Sequence, residues 1–490
     1  MTKNAMTKTT LVLSLAAASV AVAQMPQVPA PVPQGQAPQS LAGVVRLKRA
    51  PVSNEVLKVK LPRPVERKLA NGATLLILES HRVPTISFRM SLPSGSLRDA
   101  AGMPGVSEAT AALIRLGTKT RSSKDIADTL ADLGAQVSFV ADKGETGISV
   151  SALTENFDGA MAVLADILLN PTFPQDELEK WKTRQIATLE QAQAAPGFLA
   201  NEVLSKLLYG SDARQFTHAT RDSVNKMTRD VIVEHYKTYY VPSGELAGIS
   251  GDITPEEAVA KLNKALGAWK GGPVAHLSLP NPEAVKEKKV YLIPRPSSVQ
   301  TLLVVANHAI DRNSPDYVEC QVMNRILGAG PSSRLFRVVR EEKGYGYGIS
   351  SNFSATHYLN HFTASTSVQT AVTQPALEEI LKQFADIRDR AVTAEELADA
   401  KSAIVASFAL GLESSSGVLA RWLEQRQYGL PDDYWDTYTQ KVMAVTAEDV
   451  ERVAKKYVPL DNAQIIAVGD GNMGPMLQKF GPVEVVKPVE

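Results

Sequence analysis

The chain has 490 residues, in which 52 Lys and Arg balance 52 Asp and Glu, and only one residue is cysteine. With zero net charge it lacks the basic field that nucleic-acid-binding and membrane-surface proteins carry, so neither kind of partner is predicted. The length suits two or three domains, with cores large enough to need no disulfides.

The N-terminal 58 residues resemble a targeting region rather than a folded domain. A basic start precedes the short apolar stretch Leu11–Val22, and Ala21–Ala23 forms an A-x-A cleavage site. We predict a signal peptide over residues 1–23, cut after Ala23, and therefore a periplasmic or secreted protein. Residues 24–58 are rich in proline at their start and are predicted to form an extended tether. No later stretch reaches the length of a transmembrane helix.

The next part of the chain alternates strand and helix patterns. Apolar and polar residues alternate in Thr85–Leu92, which is typical of a half-buried strand. A Gly/Ser loop and an apolar helix running toward Leu116 follow it. The patterns then predict a second helix at Ser123–Leu133, a hairpin of Gln136–Val140 with Gly147–Leu153, a helix at Phe157–Leu169 and a long helix from about Gln175 to Ala194.

The apolar helix after the Gly/Ser loop carries an incomplete metal motif. Metallopeptidases of the H-x-x-E-H type place two histidines and a glutamate on such a helix. Here Gly105 and Ala109 stand at the histidine positions, and only Glu108 remains. Because zinc requires nitrogen, sulfur or carboxylate ligands, the sequence predicts a helix that has lost its metal.

An internal repeat indicates two duplicated domains. A helix start, a Tyr-Val-Pro stop and a Gly-Asp strand end occur twice, with Val231, Tyr240 and Asp252 recurring as Val450, Tyr457 and Asp470. The offsets are 450 − 231 = 219, 457 − 240 = 217 and 470 − 252 = 218. A common offset favours duplication over chance. We predict domains at 59–270 and 290–490, joined by a Gly/Pro-rich and charged linker at 271–289.

This order of elements resembles the insulinase, pitrilysin and mitochondrial processing peptidase family across roughly residues 60–475. The closest branch in organisation is the half-length, two-domain bacterial one. The resemblance implies an α+β fold of two duplicated domains, each a mostly antiparallel sheet packed with helices.

The second domain carries the other motif that supports the resemblance. The helix-start signal Gly328–Leu335 leads to Arg340 and Tyr347, which match the arginine/tyrosine pair of the family. In the family this pair lies across the cleft from zinc and binds the substrate backbone. Guanidinium and phenol groups are donors that can hold a peptide carbonyl. Without the family context, a surface arginine and a loop tyrosine would be the simpler interpretation.

No other set of residues is predicted to restore the metal site. The third zinc ligand of the family falls at Thr188, although a two-residue shift would place Glu190 there. His357 and His361 lie in Asn352–Val368, predicted as one strand, where four residues span about 13 Å. Cys320 lies in the predicted helix Tyr317–Leu327 and is expected to be buried. We therefore predict no metal and no cofactor in this chain.

Taken together, the motifs and the resemblance imply a zinc-less subunit that is inactive alone. It would bind extended peptides and form a heterodimer with a zinc-bearing homologous subunit, completing that partner's active-site chamber. Two alternatives stay open: a structural subunit without peptide processing, and an active zinc metalloendopeptidase whose ligands lie elsewhere.

Overall fold

The computed structural model describes residues 59–210, 212–242 and 245–487. The predicted signal peptide and the whole of the predicted tether lie outside these residues. The described part contains two six-stranded sheets, each covered by helices, so the predicted two-domain α+β fold is confirmed.

The first domain follows the predicted order closely, because its patterns have the periods of the elements they form. Strand Thr85–Leu92 buries every second side chain, and Ser122 caps the helix that starts at Ser123. The strands are β1 (Val65–Lys68), β2 (Thr74–Glu79), β3 (Thr85–Leu92), β4 (Gln136–Ala141), β5 (Thr146–Leu153) and β6 (Leu246–Gly251). The helices are α1 (Val106–Leu113), α2 (Ser123–Asp132), α3 (Phe157–Leu169), α4 (Gln175–Gln193), α5 (Pro196–Tyr209), α6 (Arg221–Lys226), α7 (Arg229–Tyr239) and α8 (Pro255–Leu266).

The second domain repeats this plan. Its strands are β7 (Lys289–Pro294), β8 (Gln300–His308), β9 (Gly346–Phe353), β10 (His361–Gln369), β11 (Gln464–Gly469) and β12 (Val483–Val485). Its helices are α9 (Tyr317–Leu327), a π-helix (Phe336–Glu342), α10 (Thr373–Asp389), α11 (Ala394–Leu410), α12 (Ser415–Tyr428), α13 (Tyr434–Ala444), α14 (Ala447–Tyr457) and α15 (Gly474–Leu477). Within the described residues, no single helix is long and apolar enough to cross a membrane; only α11 and α12 together reach that length and composition, and they are bent by 111°.

The strand orders confirm the duplication. The first sheet runs β1-β2-β6-β3-β5-β4 and the second β12-β7-β11-β8-β10-β9, so five strands correspond in order. Strand β11 follows β6 at 464 − 246 = 218 residues, the offset read from the sequence. The sheets differ at one edge, where β1 is antiparallel to β2 but β12 is parallel to β7.

One predicted element is wrong. Residues 352–368 form two strands and a turn rather than one strand, since β9 ends at Phe353 and β10 begins at His361. The polar turn is held against the chain after β8, where Ala309 N donates to Asn360 O at 2.8 Å. The predicted single strand is therefore interrupted by a reversal of the chain, which hydrogen bonds to a distant segment stabilise.

Each domain covers part of the other domain's sheet with a helix. Helix α5 of the first domain packs against β8 and β11, where Leu204 and Ile466 belong to one buried cluster. Helix α12 of the second domain packs on β2 and β6, and a methyl group at Gly248 would lie 3.0 Å from Leu419. This exchange joins the two domains through apolar surfaces that neither covers alone.

The connection between the domains is fixed by side chains from both. Residues 271–288 contain neither helix nor strand. Arg98 donates to the carbonyl of Ala275 at 2.8 Å, and the Tyr358 hydroxyl donates to the carbonyl of Leu277 at 3.2 Å. These bonds satisfy main-chain groups that no secondary structure pairs.

Because His361 is held in its neutral form where the two domains meet, we expect the protein to lose stability in acid. His361 contacts the Tyr209 hydroxyl at 2.8 Å, and burial lowers its pKa to about 4, helped by the charge of Lys143. An unfolded chain has a histidine pKa near 6.5, so the folded protein binds fewer protons between these values and its free energy of unfolding falls as the pH drops from about 6.5 to 4. His361→Gln should remove on the order of 2–3 kcal/mol of that fall. Denaturant titrations at several pH values measure it; exposed His276→Gln is the control, and equal pH slopes in both variants would contradict the assignment.

Candidate functional site

The helix with the incomplete metal motif begins one residue after the first motif position. Gly105 is the residue before α1 and has a φ of 96°, in the left-handed region. The Asp99 carboxylate accepts from Gly105 N at 2.6 Å and from Ser107 N at 2.8 Å. A carboxylate bridging the first N–H groups satisfies donors that the helix leaves free and complements its dipole.

The surroundings of Gly105 do not accommodate a zinc ligand. A Cβ atom there would lie 2.4 Å from the Cβ of Ala219, and a φ of 96° is one that L side chains rarely adopt. Ala109 is fully buried in the core of the first domain. Both histidine positions therefore lack donors, and the backbone around the first has taken a shape specific to glycine. The zinc that the motif implies does not fit the residues present.

The remaining glutamate contacts helix α4. The Glu108 carboxylate accepts from Gln185 Nε2 at 3.1 Å. Burial raises the pKa of Glu108, the Gln185 hydrogen bond lowers it, and the nearby Asp99 charge raises it again. A neutral amide thus faces Glu108 from the helix on which the family's third ligand was expected.

That contact shows which face of α4 meets α1. Thr188, which the sequence placed at the third ligand position, is exposed on α4, and Gln185 lies three residues earlier. Glu190 is also exposed and pairs with Arg221. The sequence missed Gln185 because helical spacing alone does not say which face of α4 meets α1.

His357 and Cys320 lie in the second domain, away from this motif. His357 packs on the ring of Tyr428 at 4.4 Å, and burial raises the pKa of the Cys320 thiol. Across the part of the chain that the structure describes, no group of three or more His, Cys, Asp or Glu side chains is arranged to hold a metal ion.

Arg340 and Tyr347 are brought together in the second domain. The Arg340 guanidinium carbon lies 4.6 Å from the centre of the Tyr347 ring and 4.8 Å from that of Phe336. Tyr347 is 86% exposed, although aromatic rings are usually covered. Among the described residues Arg340 has no hydrogen-bond acceptor and no ion pair.

A tight connection sets the geometry of this pair. Arg340 lies near the end of the π-helix. The turn that follows is bonded to this end of the helix, because Gly344 N donates to Arg340 O at 3.2 Å. Gly344 has a φ of 64°, which lets the chain reverse into edge strand β9. Tyr347 is the second residue of β9 and therefore projects from a fixed strand.

The pair has the chemistry to bind a carbonyl oxygen, because both side chains are hydrogen-bond donors. The guanidinium offers five N–H donors and the phenol one O–H donor. Arg340 projects from the π-helix and Tyr347 from β9, side by side, so one peptide carbonyl could accept from both. Such donors stabilise the negative charge that develops on a carbonyl oxygen during acyl transfer.

Comparison with known families decides the classification. Residues 75–222 match the model described as insulinase (peptidase family M16), and residues 226–404 match the peptidase M16 inactive domain. The chain belongs to the insulinase family. The two models meet within α6, and together they match most of the first domain and the first part of the second domain of this insulinase-family protein.

Relatives within the insulinase family carry mixed descriptions. An uncharacterised zinc protease of Bacillus subtilis is 24% identical over 82% of this chain and 98% of its own length. A protein described as a non-peptidase homologue in Helicobacter pylori is 23% identical over 80% of this chain and 90% of its own length. A probable β subunit of the mitochondrial processing peptidase of Schizosaccharomyces pombe is 24% identical over 84% of this chain and 92% of its own.

Solved structures show the same architecture. The peptidase M16 inactive domain from Pseudomonas fluorescens superposes with a TM-score of 0.77 and 27% identity, covering 83% of this chain and 98% of that one. A Helicobacter pylori protease superposes with a TM-score of 0.76 at 16% identity, covering 84% of this chain and 100% of that one, and shows the fold alone. Both structures therefore share the fold of this chain.

Proposed function

We propose that this protein is a zinc-less insulinase-family subunit that binds peptides and completes the active site of a zinc-bearing homologous subunit. The observation that carries the proposal is the exposed Arg340–Tyr347 pair, whose guanidinium has no acceptor in the described residues. A cation with free donors beside an exposed phenol is suited to a ligand carbonyl. Zinc would come from the partner.

The residues at the motif positions of α1 and α4 support the proposal that zinc is bound by the partner subunit and not by this chain. A chain that cut peptides alone would need ligands where Gly105, Ala109 and Gln185 stand, and their side chains supply no charged or imidazole donor. The description of one relative as a non-peptidase homologue, and of another as a subunit of a processing peptidase, agrees with the proposal.

Sheet edge β4 supports an extended peptide as the ligand. Asp142 N donates to Glu145 O at 2.8 Å. In an antiparallel pair, hydrogen-bonded and non-hydrogen-bonded residues alternate along the strand. The main-chain N–H and C=O groups of Val137, Phe139 and Ala141 therefore point away from β5, toward the open edge. Among the described residues these groups have no partner. An extended peptide could pair with them by strand addition.

Strand β9, the edge of the second sheet that corresponds to β4, is less open. In β9, Ser351 N donates to Gly328 O at 3.1 Å, and Asn324 Nδ2 donates to Ser351 O at 3.1 Å. These contacts occupy the middle of the β9 edge and leave its start, beside Tyr347, uncovered. Strand addition is therefore proposed at β4, and carbonyl binding at the Arg340–Tyr347 pair.

We also propose that the subunit acts in the periplasm or outside the cell, on the basis of the signal-peptide pattern of residues 1–23. N-terminal sequencing of the protein from its native host tests this directly. A mature chain that begins at Gln24 is expected, and a chain that retains residues 1–23 would contradict it.

A mixing assay tests the function. The purified chain is expected to hydrolyse a library of unstructured peptides weakly or not at all, and to raise hydrolysis strongly when mixed in equal amounts with a homologue that carries a complete H-x-x-E-H helix. The partner alone is the control. Full activity of this chain alone would contradict the proposal, and a complex that forms without any gain in hydrolysis would favour a structural subunit.

A further inference from the structure

The Arg340 guanidinium contacts two aromatic rings and no acceptor. Its carbon atom lies 4.8 Å from the centre of the Phe336 ring and 4.6 Å from that of the Tyr347 ring. Among the described residues, none of its N–H donors has a hydrogen-bond acceptor or an ion pair, although two glutamates follow it directly in the sequence. A guanidinium that stacks on an aromatic face keeps its N–H groups available, whereas one that is paired with a carboxylate does not.

Packing fixes the Phe336 ring more firmly than the Tyr347 ring. Phe336 is partly buried against the core of the second domain, and Val338 and Val339 of the same π-helix are buried. The Tyr347 side chain is 86% exposed on the edge strand β9. Of the two rings that contact Arg340, Phe336 is therefore the one that the fold holds in place.

The π-helix brings Phe336 and Arg340 to the same side. Its hydrogen bonds join residues five apart, so residues four and five apart lie above one another along the helix axis. Phe336 precedes Arg340 by four residues in this helix. The turn after the helix then returns the chain to Tyr347, so the guanidinium comes to lie near both rings.

We propose that Phe336 is a positioning residue for Arg340: its ring holds the guanidinium beside Tyr347 and leaves the N–H donors free for a peptide carbonyl. The inference rests on the proposed function, because it gives Phe336 a role in the carbonyl-binding pair. A long side chain without such a contact loses more rotamer freedom when it binds a ligand. The ring restricts Arg340 before the peptide binds, so it favours turnover without touching the peptide itself.

The contact is tested on the full isolated chain by NMR with 15N-labelled arginine. The Arg340 Nε–H resonance is identified by its loss in Arg340→Ala. It should move in Phe336→Leu, because the ring current is lost while most of the apolar packing is kept. Phe336→Tyr, which restores a ring, should bring the resonance back. Phe336→Met is a second ringless variant for the case that the leucine variant folds poorly.

Phe353→Leu is the matched control for the loss of a ring. Phe353 is also partly buried against the core of the second domain, and its ring centre lies 4.9 Å from that of Phe362. Its replacement removes an aromatic side chain from the same core without touching the pair. The Arg340 resonance and turnover should therefore stay unchanged in this variant.

The role in turnover is tested in the reconstituted complex. Phe336→Leu should lower kcat roughly two- to fivefold, the factor expected for one cation–π contact at an exposed site, with complex formation unchanged. In an Arg340→Ala background the same change should cause no further loss, because the residue that Phe336 positions is absent. Phe336→Tyr should recover the lost turnover.

The outcomes separate this proposal from the proposed function. A moved resonance together with a loss of turnover that depends on Arg340 supports it. An unmoved Arg340 resonance in both ringless variants, or an equal loss of turnover with and without Arg340, would overturn it. If Arg340→Ala leaves turnover unchanged while Phe336→Leu moves the resonance, the proposed function fails, and the positioning of Arg340 by Phe336 stands.

Discussion

Turnover by the reconstituted complex is expected to fall by roughly 10²–10³ when Arg340 is changed to Ala, and by a similar factor in Tyr347→Phe. Arg340 and Tyr347 present free donors on a fixed surface, with Tyr347 86% exposed. If they stabilise the carbonyl oxygen during bond cleavage, their loss raises the barrier without unfolding the subunit. Initial rates at saturating peptide, with complex formation measured by gel filtration, give the effect.

Matched variants make that test specific. Arg337→Ala removes an exposed arginine from the same π-helix, and Tyr345→Phe removes a hydroxyl two residues before Tyr347. Both should leave turnover nearly unchanged. Glu108→Gln should also do little, because a general base without a metal-bound water has nothing to activate. An essential Glu108 together with a silent Tyr347→Phe would place the chemistry in the first domain and contradict the account.

Restoring the family's ligand types is expected not to restore zinc. The combined substitutions Gly105→His, Ala109→His and Gln185→Glu supply the right donors, yet position 105 keeps a φ of 96° and a Cβ 2.4 Å from Ala219. Left-handed backbone costs a non-glycine residue about 1–2 kcal/mol, and the steric overlap adds to this. We expect a destabilised protein without stoichiometric zinc, measured by elemental analysis after dialysis.

A second variant guards against simple misfolding. Gln185→Glu alone leaves Gly105 and the buried Ala109 untouched, so its fold should survive while both histidine ligands are still missing. Adding Ala219→Gly to the triple variant removes the contact at 2.4 Å, but the Cα at 219 still lies 3.0 Å from the new Cβ and the backbone stays strained. Tight binding of one zinc ion by the triple variant would mean that α1 reshapes easily, contrary to the argument from Gly105.

The sequence predicted the fold well because local patterns and tertiary structure agree. The alternation of Thr85–Leu92 follows from the two-residue period of a strand, and the capped helix starts follow from local hydrogen bonding. The recurrence of these features at about 218 residues is visible in the sequence itself. Residues 352–368 were misassigned as one strand, because the turn between β9 and β10 is stabilised by hydrogen bonds to a distant segment. The exchange of α5 and α12 between the domains left no mark in local periodicity.

The candidate site was only partly predictable for the same reason. The absence of histidine at Gly105 and Ala109 is visible in the sequence, as is the spacing of Arg340 and Tyr347. The approach of Gln185 to Glu108 and of Ala219 to Gly105 depends on how separate helices and loops pack. Such contacts place Gln185, rather than the predicted Thr188, opposite Glu108, and they leave no room for a side chain at position 105.

The zinc content of the isolated chain tests the central claim most directly. Purified under metal-replete conditions and dialysed, the chain should contain far less than one zinc ion per molecule, while the complex formed with its zinc-bearing partner should contain about one per pair of chains. Elemental analysis of both samples gives the answer. Close to one zinc ion per isolated chain would contradict the account.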